Sequence, residues 1–319
     1  MEATVIVDMP DTTTRDVSKR LVAIRKTGGA VTLGRVLTLV VSIRGESSAV
    51  DGGTGDGVST AEDVITAANE ASREHPCRVI VLERGDVDAQ PRLDAQIRVG
   101  GDAGASEVVV LRLSGELGEH ESSVVVPFLL PDTPVVAWWP HDAPSEPARD
   151  PVGRLAIRRI TDATGHENPR AEIRSRLAAY SPGDTDLAWS RITSWRALLV
   201  SSLDQPPHAA IVSATVSGLE EEPAVDMLAG WLASRVDVPV RRTSGPLFVE
   251  LVLDDGSSLT ISRPQTGTTA TLVRSGFPDS LVALGRRPTH DCLAEELRRL
   301  DADEVYAAAL AGLEKVIYE

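Results

Sequence analysis

Three stretches of this chain are almost wholly apolar: RVLTLVVSI (35–43), CRVIVLE (77–83) and VVAWWP (135–140). Successive side chains of a strand point to opposite faces, so strands of this kind cannot leave one face in water. They read as central strands of a sheet covered on both sides, the usual setting of parallel strands flanked by helices. VVAWWP sharpens the constraint. Trp138 and Trp139 are neighbours and must point to opposite faces, in a chain whose aromatic content is only 3%. Either helices cover both faces there, or one indole waits for a partner.

The segments between these strands supply helices and turns. TVIVDM (4–9) is a short strand, and Asp11 and the threonines after it cap a helix whose apolar positions Val17, Leu21 and Ile24 follow i, i+4, i+7. Gly28 and Gly29 end it. GESSAVDGGTGDGVS (45–59) has five glycines and no periodicity, and reads as a flexible loop. Thr60 caps the next helix, which runs to about Glu74 with Val64, Ala67, Ala68 and Ala71 facing inward. RLDAQIRV (92–99) alternates without error: Leu93, Ala95, Ile97 and Val99 share one face, and Arg92, Asp94, Gln96 and Arg98 the other. GGDAGASE (100–107) turns the chain, and VVVLRL (108–113) runs back with Arg112 among apolar neighbours. PHDAPSEPARDP (140–151) holds four prolines and reads as a connector. RLAIRRITDA (154–163) completes a first domain, with a boundary near residue 165.

The second half opens with a helix over 168–180 and a longer one over about 185–203, in which Ala188, Ile192, Trp195, Leu199 and Leu203 form one stripe and Trp189 lies outside it. A strand (209–218) and a helix (about 223–236) precede a mostly antiparallel set of strands, with Asp255-Gly256 marking a tight hairpin. Two helices close the chain, carrying Leu293, Leu297 and Leu300, then Tyr306, Leu310, Leu313 and Ile317. The expected fold is therefore two α/β domains, 1–165 and 166–319, each a mixed sheet packed with helices.

Charge and composition narrow the function. Against 32 basic residues stand 47 acidic ones, a net charge of −15, and the basic residues form no long run. Phosphate backbones and anionic lipid are repelled by such a surface, so neither nucleic acid nor membrane is an expected partner. VVVPFLLP (124–131) falls short of the roughly 20 apolar residues a spanning helix needs. The start, MEATVIVDMPD, lacks the basic and apolar regions of a signal peptide, and the chain is expected in the cytoplasm.

The segments that come near catalytic motifs fail on chemistry. GGAVTLGR (28–35) resembles a phosphate-binding loop, but Arg35 and Val36 stand where lysine and a metal-binding hydroxyl belong. GGTGDG (52–57) lacks the spacing of a dinucleotide fingerprint. His75, Cys77, His290 and Cys292 could together supply four zinc ligands. Cys77, however, opens an apolar strand, where a free cysteine behaves as a small hydrophobe, and the structural reading is preferred to zinc or to a Cys77–Cys292 bridge. The three lysines, Lys19, Lys26 and Lys315, have solvent-facing helical spacing. No catalytic residue, metal or cofactor is expected. One anion site stays open: the glycine-rich turn at 99–107, with Arg98 and Arg112 beside it.

REHPCRVIVLERG (73–85), RLDAQIRVGGDAGASEVVVLRLSG (92–115), VVVPFLLPDTPVVAWWP (124–140), RRITDA (158–163) and GDTDLAWSRITSWRALL (183–199) together resemble the OpcA family of glucose-6-phosphate dehydrogenase assembly proteins. The resemblance runs nearly end to end and is strongest over residues 73–200. It implies a non-catalytic helper that binds glucose-6-phosphate dehydrogenase, promotes its active oligomer and supports NADPH supply in the oxidative pentose phosphate pathway. Some relatives are tied to thioredoxin-type redox control, for which this chain offers Cys77 and Cys292. Such a helper needs a contact surface, and Trp and Arg are common anchors. The expected contacts are Trp138, Trp139, Trp189 and the polar strand face of Asp94, Gln96, Arg98 and Arg112. The alternative is a sugar-phosphate sensor or cryptic enzyme built on the 99–107 turn with Arg98 and Arg112.

Overall fold

The structure is a computed structural model that describes residues 5–27, 35–45, 60–99, 107–206 and 208–319. The loop expected to be flexible at 45–59, apart from Gly45, most of GGAVTLGR, GGTGDG, and residues 100–106 of the glycine-rich turn lie outside the described residues. In chain order the elements are β1 (Val5–Met9), α1 (Thr14–Thr27), β2 (Leu37–Arg44), α2 (Ala61–Ser72), β3 (Cys77–Arg84), β4 (Arg92–Val99), β5 (Glu107–Ser114), α3 (Glu121–Val125), β6 (Val135–Trp139) and β7 (Arg158–Thr161). There follow α4 (Pro169–Ala179), β8 (Asp184–Asp186), α5 (Leu187–Arg191), α6 (Thr193–Leu203), β9 (Ile211–Gly218), α7 (Pro223–Arg235) and β10 (Val240–Ser244). The chain ends with β11 (Phe248–Leu253), β12 (Ser258–Ser262), β13 (Thr269–Arg274), β14 (Ser280–Ala283), α8 (Thr289–Arg298), α9 (Glu304–Gly312) and β15 (Val316–Tyr318). Among the described residues no helix is long and apolar enough to cross a membrane.

The chain divides into two compact units, the first made of residues 1–165, 181–185 and 288–302. A single cut near residue 165 misses the last two segments, because α8 returns to the first unit and packs against α2. The sheet of this unit has the order β1-β4-β5-β3-β2-β6-β7-β8. Strands β5, β3, β2, β6 and β7 are parallel, and β4 and β1 add antiparallel strands at one edge. The parallel strands, taken in chain order, lie 3-2-1-4-5, a doubly wound arrangement whose growth reverses between β2 and β6.

Both faces of this sheet are covered, as the apolar strands require. Val40, Ile80, Val109, Ala137 and Trp139 pack with Val17 and Leu21 of α1, Val124 and Val125 of α3, and Phe128. The opposite face, with Leu39, Val41, Val79, Val81 and Val110, is buried on the side of α2 and α8. Trp138 belongs there, in register with Val41 and Ile160. Thr60 caps α2 in a reciprocal box with Asp63, and Val64, Ala67, Ala68 and Ala71 are buried as their spacing predicts. One buried ion pair ties α8 down: Arg158 of β7 donates to Glu296 and also to the Asp301 carbonyl.

The second unit comprises residues 166–180, 186–287 and 303–319. Its sheet has the order β14-β13-β12-β11-β9-β10-β15, with β9, β10 and β15 parallel and the others antiparallel. Helix α7 packs on β9, β10 and β15, and α9 packs on α7. Gly256 (φ 82°) makes the turn expected at Asp255-Gly256. Two expectations fail here. The long helix over 185–203 is broken: Asp184–Asp186 form a strand, Asp186 accepts the Ala188 N–H as N-cap of α5, and the path bends at Ile192 (φ −96°, ψ 4°) before α6. Ile317 is not helical; VIY is a β-branched and aromatic run that pairs in parallel with β10.

Candidate functional site

The three tryptophans expected as contacts are all core residues. Trp138 and Trp139 are fully buried on opposite faces of the first sheet. Each removes ~200 Å² from water, worth roughly 5 kcal/mol at 25 cal/mol per Å². Trp189 is buried in the second unit. Its Nε1–H donates to Asp303 (2.9 Å), Tyr306 packs beside it, and the Arg196 guanidinium stacks 3.5 Å from the ring centre. The break at Ile192 explains why a residue outside the predicted helical stripe is inward-facing. Burial takes these three off the list of surface anchors.

Asp94, Gln96, Arg98 and Arg112 do share one strand face, with Asp94 and Arg112 opposite each other in register. All four are engaged locally. Asp94 accepts from Arg92 (2.7 Å) and from the Asp11 N–H (2.7 Å). Gln96 donates to Asp8 (2.7 Å), Arg98 binds both oxygens of Glu62 (2.7 and 2.9 Å), and Arg112 donates to Glu83 (3.0 Å). Burial opposes ionisation of Asp94, but the Arg92 hydrogen bond, the Asp11 N–H and the Arg92 and Arg112 charges hold its pKa below the usual carboxylate range. The Arg98 hydrogen bond likewise lowers that of Glu62. An anion arriving at this face would have to displace carboxylates from both arginines.

At the carboxyl ends of β2 and β3, beside the point where the sheet reverses its growth, sits a cluster that the sequence did not announce. Buried Glu121, at the start of α3, accepts from Ser42 (2.9 Å), and Arg84 lies 3.5 Å away. Burial raises the Glu121 pKa against the opposing Arg84 charge and Ser42 hydrogen bond. Arg44 pairs with Asp142 (3.4 Å) at the rim. Among the described residues no group of three or more His, Cys, Asp or Glu side chains is placed to hold a metal ion. Cys77 and Cys292 form no disulfide and are fully buried.

A broad surface with few charged side chains is the second sheet's outer face. Alternation is regular across it: Val249, Leu251, Leu259 and Ile261 are buried, whereas Phe248, Glu250, Val252, Thr260 and Ser262 are half-exposed. Thr215 and Thr243 continue this outer face, with Val273, Leu281 and Ile317 exposed towards its edges. Seven strands at ~4.8 Å spacing make a span of about 30 Å, large enough to contribute to a specific protein interface.

Residues 68–178 match the family described as the glucose-6-phosphate dehydrogenase subunit N-terminal domain, and residues 182–310 match its C-terminal domain. The chain belongs to the OpcA family. The two matched segments stand in tandem and take in most strands of both sheets, with β1, β2 and β15 outside them. No curated protein matches. Among solved structures, an NAD binding oxidoreductase from Klebsiella pneumoniae is 9% identical with a TM-score of 0.42, over 88% of this chain and 96% of that one. A dehydrogenase from Chromobacterium violaceum is 10% identical with a TM-score of 0.35, over 88% of this chain and 94% of that one. Likeness at this level carries no argument about chemistry.

Proposed function

We propose that this OpcA-family chain is a non-catalytic, cytoplasmic assembly protein: it binds glucose-6-phosphate dehydrogenase, favours its active oligomer and so supports NADPH production in the oxidative pentose phosphate pathway. The observation that carries the reading is the tandem match of both dehydrogenase-subunit domains over residues 68–310. A protein of this kind acts as an allosteric activator by differential affinity. It shifts the dehydrogenase only as far as it binds the assembled form better than the dissociated one. That task calls for a folded exterior, and the polar ladder of Asp94, Gln96, Arg98 and Arg112 remains a proposed part of the contact. The sugar-phosphate alternative is weaker, since the Arg98 and Arg112 guanidinium groups are already bound by Glu62 and Glu83.

The test mixes this chain with glucose-6-phosphate dehydrogenase at equal subunit ratio and follows oligomer size by size-exclusion and specific activity at low enzyme concentration. Both are expected to rise, with no turnover by this chain alone. Unchanged size and rate would end the reading. Calorimetry with glucose 6-phosphate examines the alternative, and heat that disappears on Arg98→Ala would favour it.

A further inference from the structure

We propose that two copies of this chain pack through the outer face of the second sheet, about a two-fold axis running along β9. A net charge of −15 opposes self-association, so copies can approach closely only where like charges are absent. On the outward positions of this sheet's strands the charged side chains are Arg241 and Glu250; the rest are Ser, Thr, Ala, Val, Leu, Ile or Phe. Depletion of charge at the centre of a patch is the compositional mark of an interface.

The placement of those two charges selects a second copy as the occupant. Arg241 on β10 and Glu250 on β11 are both in register with Thr215 of β9, one strand to either side. Now set a second sheet face to face with the first, with the two-fold axis in the plane between them and along β9. The rotation exchanges left and right, so Arg241 of each copy lies over Glu250 of the other, twice. In the same row Ile317, in register with Arg241, lies over Thr260, in register with Glu250. A self-complementary pair of opposite charges about a central strand is what an isologous contact requires. Arg241 also reaches Glu319 at 3.2 Å, but both side chains are about half exposed, which leaves the guanidinium open to a second carboxylate. Five strands, β15 to β12, overlap in this arrangement, an area of the order of 400 Å² before side-chain relief is counted. That places the contact at the small, reversible end of specific interfaces.

Sedimentation velocity of the full chain without any dehydrogenase tests the proposal separately from the activator reading. Across a hundredfold range of concentration the mass should move from 34.0 kDa towards twice that value. Arg241→Glu or Glu250→Arg alone should weaken association by at least about tenfold, with circular dichroism unchanged because both side chains stand on the half-exposed outer face. The double reversal R241E/E250R should restore it. A chain that stays monomeric, a dimer indifferent to both reversals, or a double variant that fails to recover would overturn the proposal. So would reversals that weaken only dehydrogenase capture, which would assign the face to the dehydrogenase instead.

Discussion

Gly230 of α7 and Gly312 of α9 face each other with backbone against backbone. A methyl group built on Gly312 would overlap the Gly230 carbonyl oxygen, and one built on Gly230 would overlap the Ala309 carbonyl oxygen. The two helices can pack this closely only because neither residue has a side chain, and their contact covers the core of the second unit. Glycine inside a helix ordinarily costs about 1 kcal/mol relative to alanine, so substitution at an open position would stabilise. Here the sign should reverse. Gly230→Ala and Gly312→Ala are each expected to lose about 1–3 kcal/mol through overpacking, read as a lower denaturant midpoint. An unchanged or higher midpoint would show that the helices separate at no cost.

The Arg158–Glu296 pair tests how α8 is held in the first unit. Both side chains are almost wholly out of solvent, so removing one partner strands a buried charge. Arg158→Met or Glu296→Leu alone should cost about 3–5 kcal/mol, while replacing both should recover much of that loss. The coupling comes from a double-mutant cycle in urea. Additive losses would mean that the pair does not act as a unit.

Local patterns made much of the first sheet legible. Period-two alternation gave β4 residue for residue, and three apolar runs gave β2, β3 and β6 with helices on both faces. Long-range returns were not legible, because nothing in THDCLAEELR says which unit its apolar stripe will meet. VIY at the end of the chain continued the helical spacing of Leu310 and Leu313, and only the free edge of β10 made it a strand. The burial of the tryptophans was read least well. Tryptophan composition suggested anchors, yet Trp189 faces inward because the path bends at Ile192, a break that the apolar spacing of the segment does not signal. The outer face of the second sheet was written in the alternation of FVELVL and SLTIS, where Ser, Thr and Val are ordinary strand residues and call no attention to themselves.

Thiol chemistry gives a third prediction. Cys77 opens β3 and Cys292 lies in α8, both without solvent exposure. A thiol-based control would need reagent access to one of them. Ellman's reagent should therefore release no colour from the native chain over minutes and two equivalents in guanidinium. Rapid native reaction of either thiol would reopen redox control as a property of this chain.

Glu121 supplies the pH dependence. Burial raises its folded pKa above the ordinary glutamate value, despite the Arg84 charge and the Ser42 hydroxyl. A carboxyl whose pKa is higher folded than unfolded binds its proton more tightly in the folded state. Its contribution is therefore neutral in acid, where both states are protonated, and becomes a growing penalty as pH rises from the unfolded value to the folded one, above which it is constant. Glu121→Gln keeps an oxygen for the Ser42 hydroxyl and removes the charge that burial penalises. The variant should match the parent chain below the ordinary glutamate pKa and exceed it at neutral pH, with the gap opening between the unfolded and folded values. Urea midpoints measured from pH 4 to pH 8 follow that gap directly. A variant less stable at every pH would show that the contact with Arg84, which is partly exposed and can be resolvated by water, outweighs the burial of the carboxylate.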